Sequence, residues 1–177
     1  MPSVRETELL EAAYRYVLAH GLADVSLRPL AAAIGSSTRV LLYLFGSKDG
    51  LVRALLARAR ADELALLGDV GTGPGVVPRL WDWLVEPAHR PLLTLWLEAY
   101  ARSLVEPDGA WAGFAKATVE DWLEVLKASQ AEDVRDTQEG LAERTRDLAL
   151  VRGALLDLLA TGDHERVTAA VKASFAG

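Results

Sequence analysis

The sequence contains no cysteine, so neither a disulfide framework nor a thiolate metal site can form. No apolar run approaches the roughly 18 residues that a membrane span requires, and no membrane association is expected. Glu6, Glu8 and Glu11 occupy the stretch where a signal peptide would be apolar. Export is therefore not expected, and a cytoplasmic protein is. Histidine is scarce: His20, His89 and His164 are far apart, and Glu86 and His89 are separated by Pro87. There is no HExxH, no phosphate-cradling glycine loop and no GxSxG. Neither an enzyme nor a bound cofactor or metal is expected. Strand patterns are nearly missing as well, because β-branched runs of period two do not occur.

What remains is rich in Ala, Leu, Glu and Arg, and predicts an all-α protein of about nine helices. The apolar spacing predicts helices over 6–20, 27–34, 38–45 and 48–67, with Ser26, Ser37 and Ser47 as caps. Gly68 to Pro78, with four Gly and two Pro, reads as a loop. Further helices are expected over 77–85, 91–105, 110–128, 141–160 and 164–175, and the polar stretch 129–140 reads as a loop or frayed helix start. The net charge of −6 is unevenly spread, since residues 1–60 sum to +3 and residues 61–177 to −9. A basic head on an acidic body suits a protein that meets DNA at one end. A DNA-binding portion is expected in 1–50, with a helical portion behind it in 51–177.

The informative stretch is 27–46, LRPLAAAIGSSTRVLLYLFG. Two steeply crossing helices need a small residue at their contact (Ala31) and a residue tolerant of positive φ in the turn (Gly35). Leu30, Ile34, Leu41 and Leu44 have the spacing that pins such a pair to a preceding helix. These features predict a helix-turn-helix, although two short amphipathic helices joined by glycine would share them. Ser37, Thr38 and Arg39 open the second helix, where backbone N–H groups suit phosphate and an arginine can bond guanine bidentately. Tyr43 is a phosphate donor or a half-buried packing residue. Arg5 and Arg28 are candidates for backbone contact or plain solvated charges.

Residues 5–58 resemble the DNA-binding head of the tetracycline-repressor (TetR) family. The resemblance rests on the helix-turn-helix followed by Phe45, Ser47, Lys48, Asp49 and Leu51 in SLRPLAAAIGSSTRVLLYLFGSKDGLVRAL. Leu42 and Leu44 depart from the Tyr and His that the family often places there, and Ser36 replaces a usual apolar turn residue. The resemblance implies a sequence-specific transcriptional regulator, a dimeric repressor of a palindromic double-stranded operator, released by an unknown small-molecule effector. It implies that Lys48 clamps a phosphate. It also implies that the two C-terminal helices pair with their copies in a homodimer, through Leu148, Gly153, Leu155, Leu156, Leu159, Val167 and Val171. A pocket in the body is expected among Trp83, Trp96, Tyr100, Trp111, Phe114 and Trp122, with Glu98, Arg102 and His89 as polar groups. Trp81 and Trp83, two apart, cannot both face one core. The competing reading is a helical protein-interaction module without DNA binding.

Overall fold

The computed structural model describes residues 3–22, 25–69, 73 and 75–175. Among them the elements are nine α-helices and one short 3-10 turn, with no strand. The helices are α1 (Val4–His20), α2 (Leu27–Ala33), α3 (Thr38–Phe45), α4 (Lys48–Asp69), α5 (Val76–Leu84), α6 (Arg90–Val105), α7 (Phe114–Ser129), α8 (Gln138–Thr161) and α9 (His164–Ser174). The 3-10 turn is Pro87–His89.

Local chemistry explains where each helix starts. Ser3 caps α1 two residues earlier than expected, because Ser3 and Glu6 form a reciprocal capping box. Ser26 holds the cap position of α2 but makes no side-chain capping bond. Pro29 stands at the third helical position, so one of the two N–H groups that a capping oxygen normally accepts from is missing. α7 begins at Phe114, not at 110, since Gly113 at φ 75° ends the preceding turn. Glycine has no capping side chain, and Ser103 of α6 supplies one instead: its Oγ accepts from the Ala115 N–H at 3.1 Å. α8 starts within the stretch read as a loop or frayed helix start, capped by Thr137 on the Gly140 N–H at 3.0 Å. Of the expected loop 68–78, residues 68 and 69 close α4 and 76–78 open α5; residues 70–72 and 74 lie outside the described residues.

The chain divides into two compact units. The first comprises residues 1–63 and 91–117. Its core joins Ala13, Tyr14 and Val17 of α1 to Leu30, Leu41, Leu51 and Leu55, and continues through Leu95, Trp96, Ala99, Trp111 and Phe114. It therefore extends beyond the 1–50 span assigned to DNA binding, and α6 packs into the same core as the helix-turn-helix. The second unit comprises residues 64–90 and 118–177. There α5 buries Val76, Val77, Leu80, Trp81 and Leu84, a helical stripe, against the family of residues Leu148, Val151, Leu155, Val167 and Val171 on α8 and α9. Trp81 is fully buried and its indole N–H donates to Thr168 Oγ1 at 3.1 Å. Trp83, on nearly the opposite face, is half-buried and stacks on His89 at 3.7 Å.

Candidate nucleic-acid interface

The first unit builds a helix-turn-helix from the residues expected to do so. Leu30, Ala31 and Leu41 are buried, and the small Ala31 lets α2 and α3 approach closely. Gly35 adopts φ 65°, and the Ser36 N–H then closes the turn on the Ala31 carbonyl at 2.8 Å. Ser37 caps α3, its Oγ accepting from the Val40 N–H at 3.2 Å. Ser47 Oγ accepts from the Gly50 N–H at 2.9 Å, and so starts α4 directly behind α3. Gly50 is fixed by close approach: a Cβ there would lie 1.9 Å from the Phe45 carbonyl oxygen. Glycine therefore sets the tight return from α3 into α4, a constraint the sequence pattern did not reveal.

On this frame Arg28, Ser37, Arg39, Tyr43 and Lys48 are exposed and Thr38 is half-buried. Tyr43 is 85% exposed, which leaves no packing role for it. Arg28, Arg39 and Lys48 form no ion pair with any described residue, so their charge is available to a ligand. Arg5 is also exposed but sits 3.7 Å from Glu8. The cations that face inward are committed otherwise. Arg58 of α4 binds Glu11 of α1 at 2.6 Å and Asp62 at 3.2 Å, and its guanidinium lies 4.7 Å over the Tyr14 ring. The Tyr14 hydroxyl donates to Asp62 at 2.8 Å. Burial and the Asp62 carboxylate together hold this phenol protonated well above the ordinary tyrosine range. The hydrogen bond that Arg58 donates to Glu11 holds the guanidinium firmly charged.

This α1–α4 clasp was not foreseen, nor was a second tie. Glu98 of α6 accepts the Leu22 N–H at 2.8 Å, just past the end of α1. Glu98 therefore holds the helix-turn-helix to α6, where a role in orienting a ligand had been expected. Arg102 pairs with Glu106 at 2.5 Å, and the His89 ring bonds the Trp83 carbonyl at 2.7 Å.

The aromatic residues expected around a body pocket separate between the units. Trp96, Tyr100, Trp111 and Phe114 gather in the first, with Trp96 and Tyr100 rings 5.1 Å apart. Trp83 and Trp122 belong to the second. The second unit has a cavity of about 360 Å³ lined by Val77, Leu126, Gln130, Glu143, Arg144 and Phe175, among others. Phe114 alone of the six borders a described cavity, one of about 230 Å³ in the first unit. Of the expected dimer residues, Leu148, Leu155, Val167 and Val171 are buried within the chain's own second unit. They close its core, and a partner cannot reach them. Leu159 is half-buried, whereas Gly153 and Leu156 are exposed.

No helix among the described residues is long and apolar enough to cross a membrane. Residues 9–55 match the family model of bacterial regulatory proteins, tetR family. An HTH-type transcriptional repressor of Mycobacterium tuberculosis is 28% identical over 179 residues, which covers 96% of this chain and 89% of that protein. The HTH-type transcriptional regulator BetI of Burkholderia thailandensis is 26% identical over 114 residues, and that match spans 60% of this chain and 58% of the relative's length. The same fold occurs in a transcriptional regulator of Rhodococcus sp. Rha1, at TM-score 0.78 and 21% identity over 97% of this chain and 94% of that one. It occurs also in a regulator of Saccharomonospora viridis in complex with choline, at TM-score 0.72 and 21% identity over 95% and 93%. With its helix-turn-helix, its α3–α4 return and these relatives, the chain is a DNA-binding regulator of transcription whose residues 9–55 match those of the tetR family of bacterial regulatory proteins.

Proposed function

We propose that the protein is a homodimeric repressor that seats α3 of each copy in the major groove of a palindromic operator and is released by a small-molecule effector. The observation that carries the DNA contact is the pairing of an exposed, capped α3 with cations that have no described ion-pair partner, Arg39 and Lys48. Arg39 reads a base edge, with Thr38 beside it. Lys48, Tyr43, the Ser37 end of α3, Arg28 and Arg5 hold phosphates, and residues 1–50 form the DNA-binding portion. Phosphate contacts fix position while base contacts fix sequence.

One such head reads only a half-site, and two half-sites lie about 34–36 Å apart, or a multiple of that, on a duplex. Dimerisation through α8 and α9 supplies the second head. With Leu155 turned inward, the face left for a partner on α8 is the solvent-exposed stripe of Ala142, Ala149, Gly153, Leu156 and Ala160. A Cβ at Gly153 would meet nothing within 4 Å, so another helix has room to pack there. Support for an effector comes from the choline complex of a fold neighbour and from the second-unit cavity of about 360 Å³, a size that suits a small molecule.

The test is enrichment of random duplex DNA by the purified protein, then anisotropy on the recovered sequences across a salt series. A palindromic consensus and an affinity that falls steeply with salt are expected. Affinity for proteins and none for any duplex at low salt would instead identify an interaction module.

A further inference from the structure

We propose that the recognition helix reads thymine methyl groups, through Leu42 on one flank and Val40 on the other, and that these flank the guanine bonded by Arg39. The inference rests on the DNA-binding reading and adds the base composition that the half-site must have.

The residues of α3 are TRVLLYLF. Successive residues of an α-helix are about 100° apart. Leu41, 1% exposed, points into the core. Arg39 and Tyr43 then project from nearly the opposite side, and Val40 and Leu42 from its two flanks. Val40 is 37% exposed, Leu42 41% and Tyr43 85%. Three exposed side chains with large apolar surfaces on an eight-residue helix are a lasting cost in water unless a ligand covers them.

The choice of ligand surface follows from what the helix can bond. In the major groove adenine is matched bidentately by Asn or Gln, and the cytosine amino group by Asp or Glu. α3 contains none of these four residues. Its one charged side chain, Arg39, matches guanine N7 and O6. Everything else it exposes apart from Thr38 and the Tyr43 hydroxyl is hydrocarbon or ring. The apolar feature that the major groove offers is the thymine C5-methyl group.

The test replaces thymine by deoxyuridine, which keeps the pairing and the O4 acceptor but lacks the methyl. On the operator recovered by enrichment, each thymine is exchanged in turn and binding of the full chain is followed by anisotropy. At one position or more per half-site the exchange should weaken binding about fourfold, the effect of withdrawing one buried carbon. Exchange in both half-sites should multiply to about fifteenfold. In Leu42→Ala that exchange should have little effect, and the slope of affinity against salt should match wild type, because no charge is lost. Arg39→Ala should keep the methyl dependence. A guanine-containing operator bound tightly and with steep salt dependence, yet indifferent to every thymine exchange, would overturn the methyl reading and leave DNA binding intact. So would a methyl dependence that persists in both Leu42→Ala and Val40→Ala. Failure to enrich any duplex would overturn the DNA-binding reading and this inference with it. The deoxyuridine series on the unaltered protein decides the matter even if a variant does not fold.

Discussion

Arg39 and Lys48 are both exposed cations a few residues apart, and truncation should separate their roles. Arg39→Ala should relax discrimination at one base pair of each half-site, with a loss of about 1–3 kcal/mol on the preferred sequence and little on others. Lys48→Ala should weaken all sequences alike and lower the salt slope by about one per head. Competition anisotropy with single-base operator variants measures the first and a salt titration the second; wild-type behaviour in both variants would remove these residues from the interface. Gly50 sets a constraint of another kind. Gly50→Ala drives a methyl into the Phe45 carbonyl oxygen at 1.9 Å, so the α3–α4 return must open. A stability loss of about 1–3 kcal/mol is expected, with a drop of several degrees in Tm by calorimetry. Exposed Gly153, inside α8 with nothing near its missing Cβ, should gain about 0.5–1 kcal/mol of monomer stability on replacement by alanine.

Helices are the level at which the sequence is most legible, because their signal is local. Period 3.6 in apolar residues and the serines before Thr38 and Lys48 locate every helix found, most of them within a few residues of their ends. What escaped is what depends on residues distant in sequence. α7 starts late because Gly113 lacks a capping group and Ser103, twelve positions from Ala115, supplies it. Ser103→Ala should cost about 1–2 kcal/mol, since the variant leaves a buried N–H without its acceptor; equal unfolding midpoints for variant and wild type would show that the cap is idle. The interface shows the same division. That Arg39 opens the recognition helix follows from order and spacing. That Tyr43 stands in solvent, and that Leu155 does not, depends on how neighbouring helices pack. The clasp of Tyr14, Arg58, Glu11 and Asp62 joins residues almost fifty positions apart, and no periodicity announces it. Between α8 and α9 an ionic tie adds to the buried apolar residues: Arg166 binds Asp157 at 2.7 Å and Asp163 at 3.0 Å. Its hydrogen bonds hold the Asp157 carboxyl below the ordinary aspartate value of 3.8. As pH falls, the unfolded chain protonates at this position first. The contribution to stability is therefore complete above the ordinary value and disappears as pH falls through the lower, folded one. Acid denaturation of wild type and Asp157→Asn should differ by a constant amount at neutral pH and converge as pH falls below the ordinary aspartate value; parallel curves throughout would exclude the linkage.

At the scale of the whole molecule, charge and burial assign different work to the two parts of the chain. The first sixty residues carry +3 against −9 for the remainder, which keeps attraction for DNA at the end that holds α3 and repels it elsewhere. In the proposed homodimer the acidic part has a task other than binding the duplex, since holding two heads at operator spacing requires an interface. Burial decides which residues can form it. Leu155 is 3% exposed, so Leu155→Glu would place a charge in the core of the second unit, and any loss of assembly would report unfolding. Leu156, 47% exposed on the same helix, is the informative position. Leu156→Glu sets two like charges against each other across a two-fold axis while leaving the monomer's core untouched. The expected result is a monomer by analytical ultracentrifugation with wild-type helicity by circular dichroism. Affinity for the full palindrome should fall by a hundredfold or more, since two linked half-sites gain about that much over one, and half-site duplexes should bind as before. A variant that remains dimeric would remove this stripe of α8 from the interface. A monomer that still held the palindrome at full strength would show that one head suffices, and the two-fold operator would then have no physical basis.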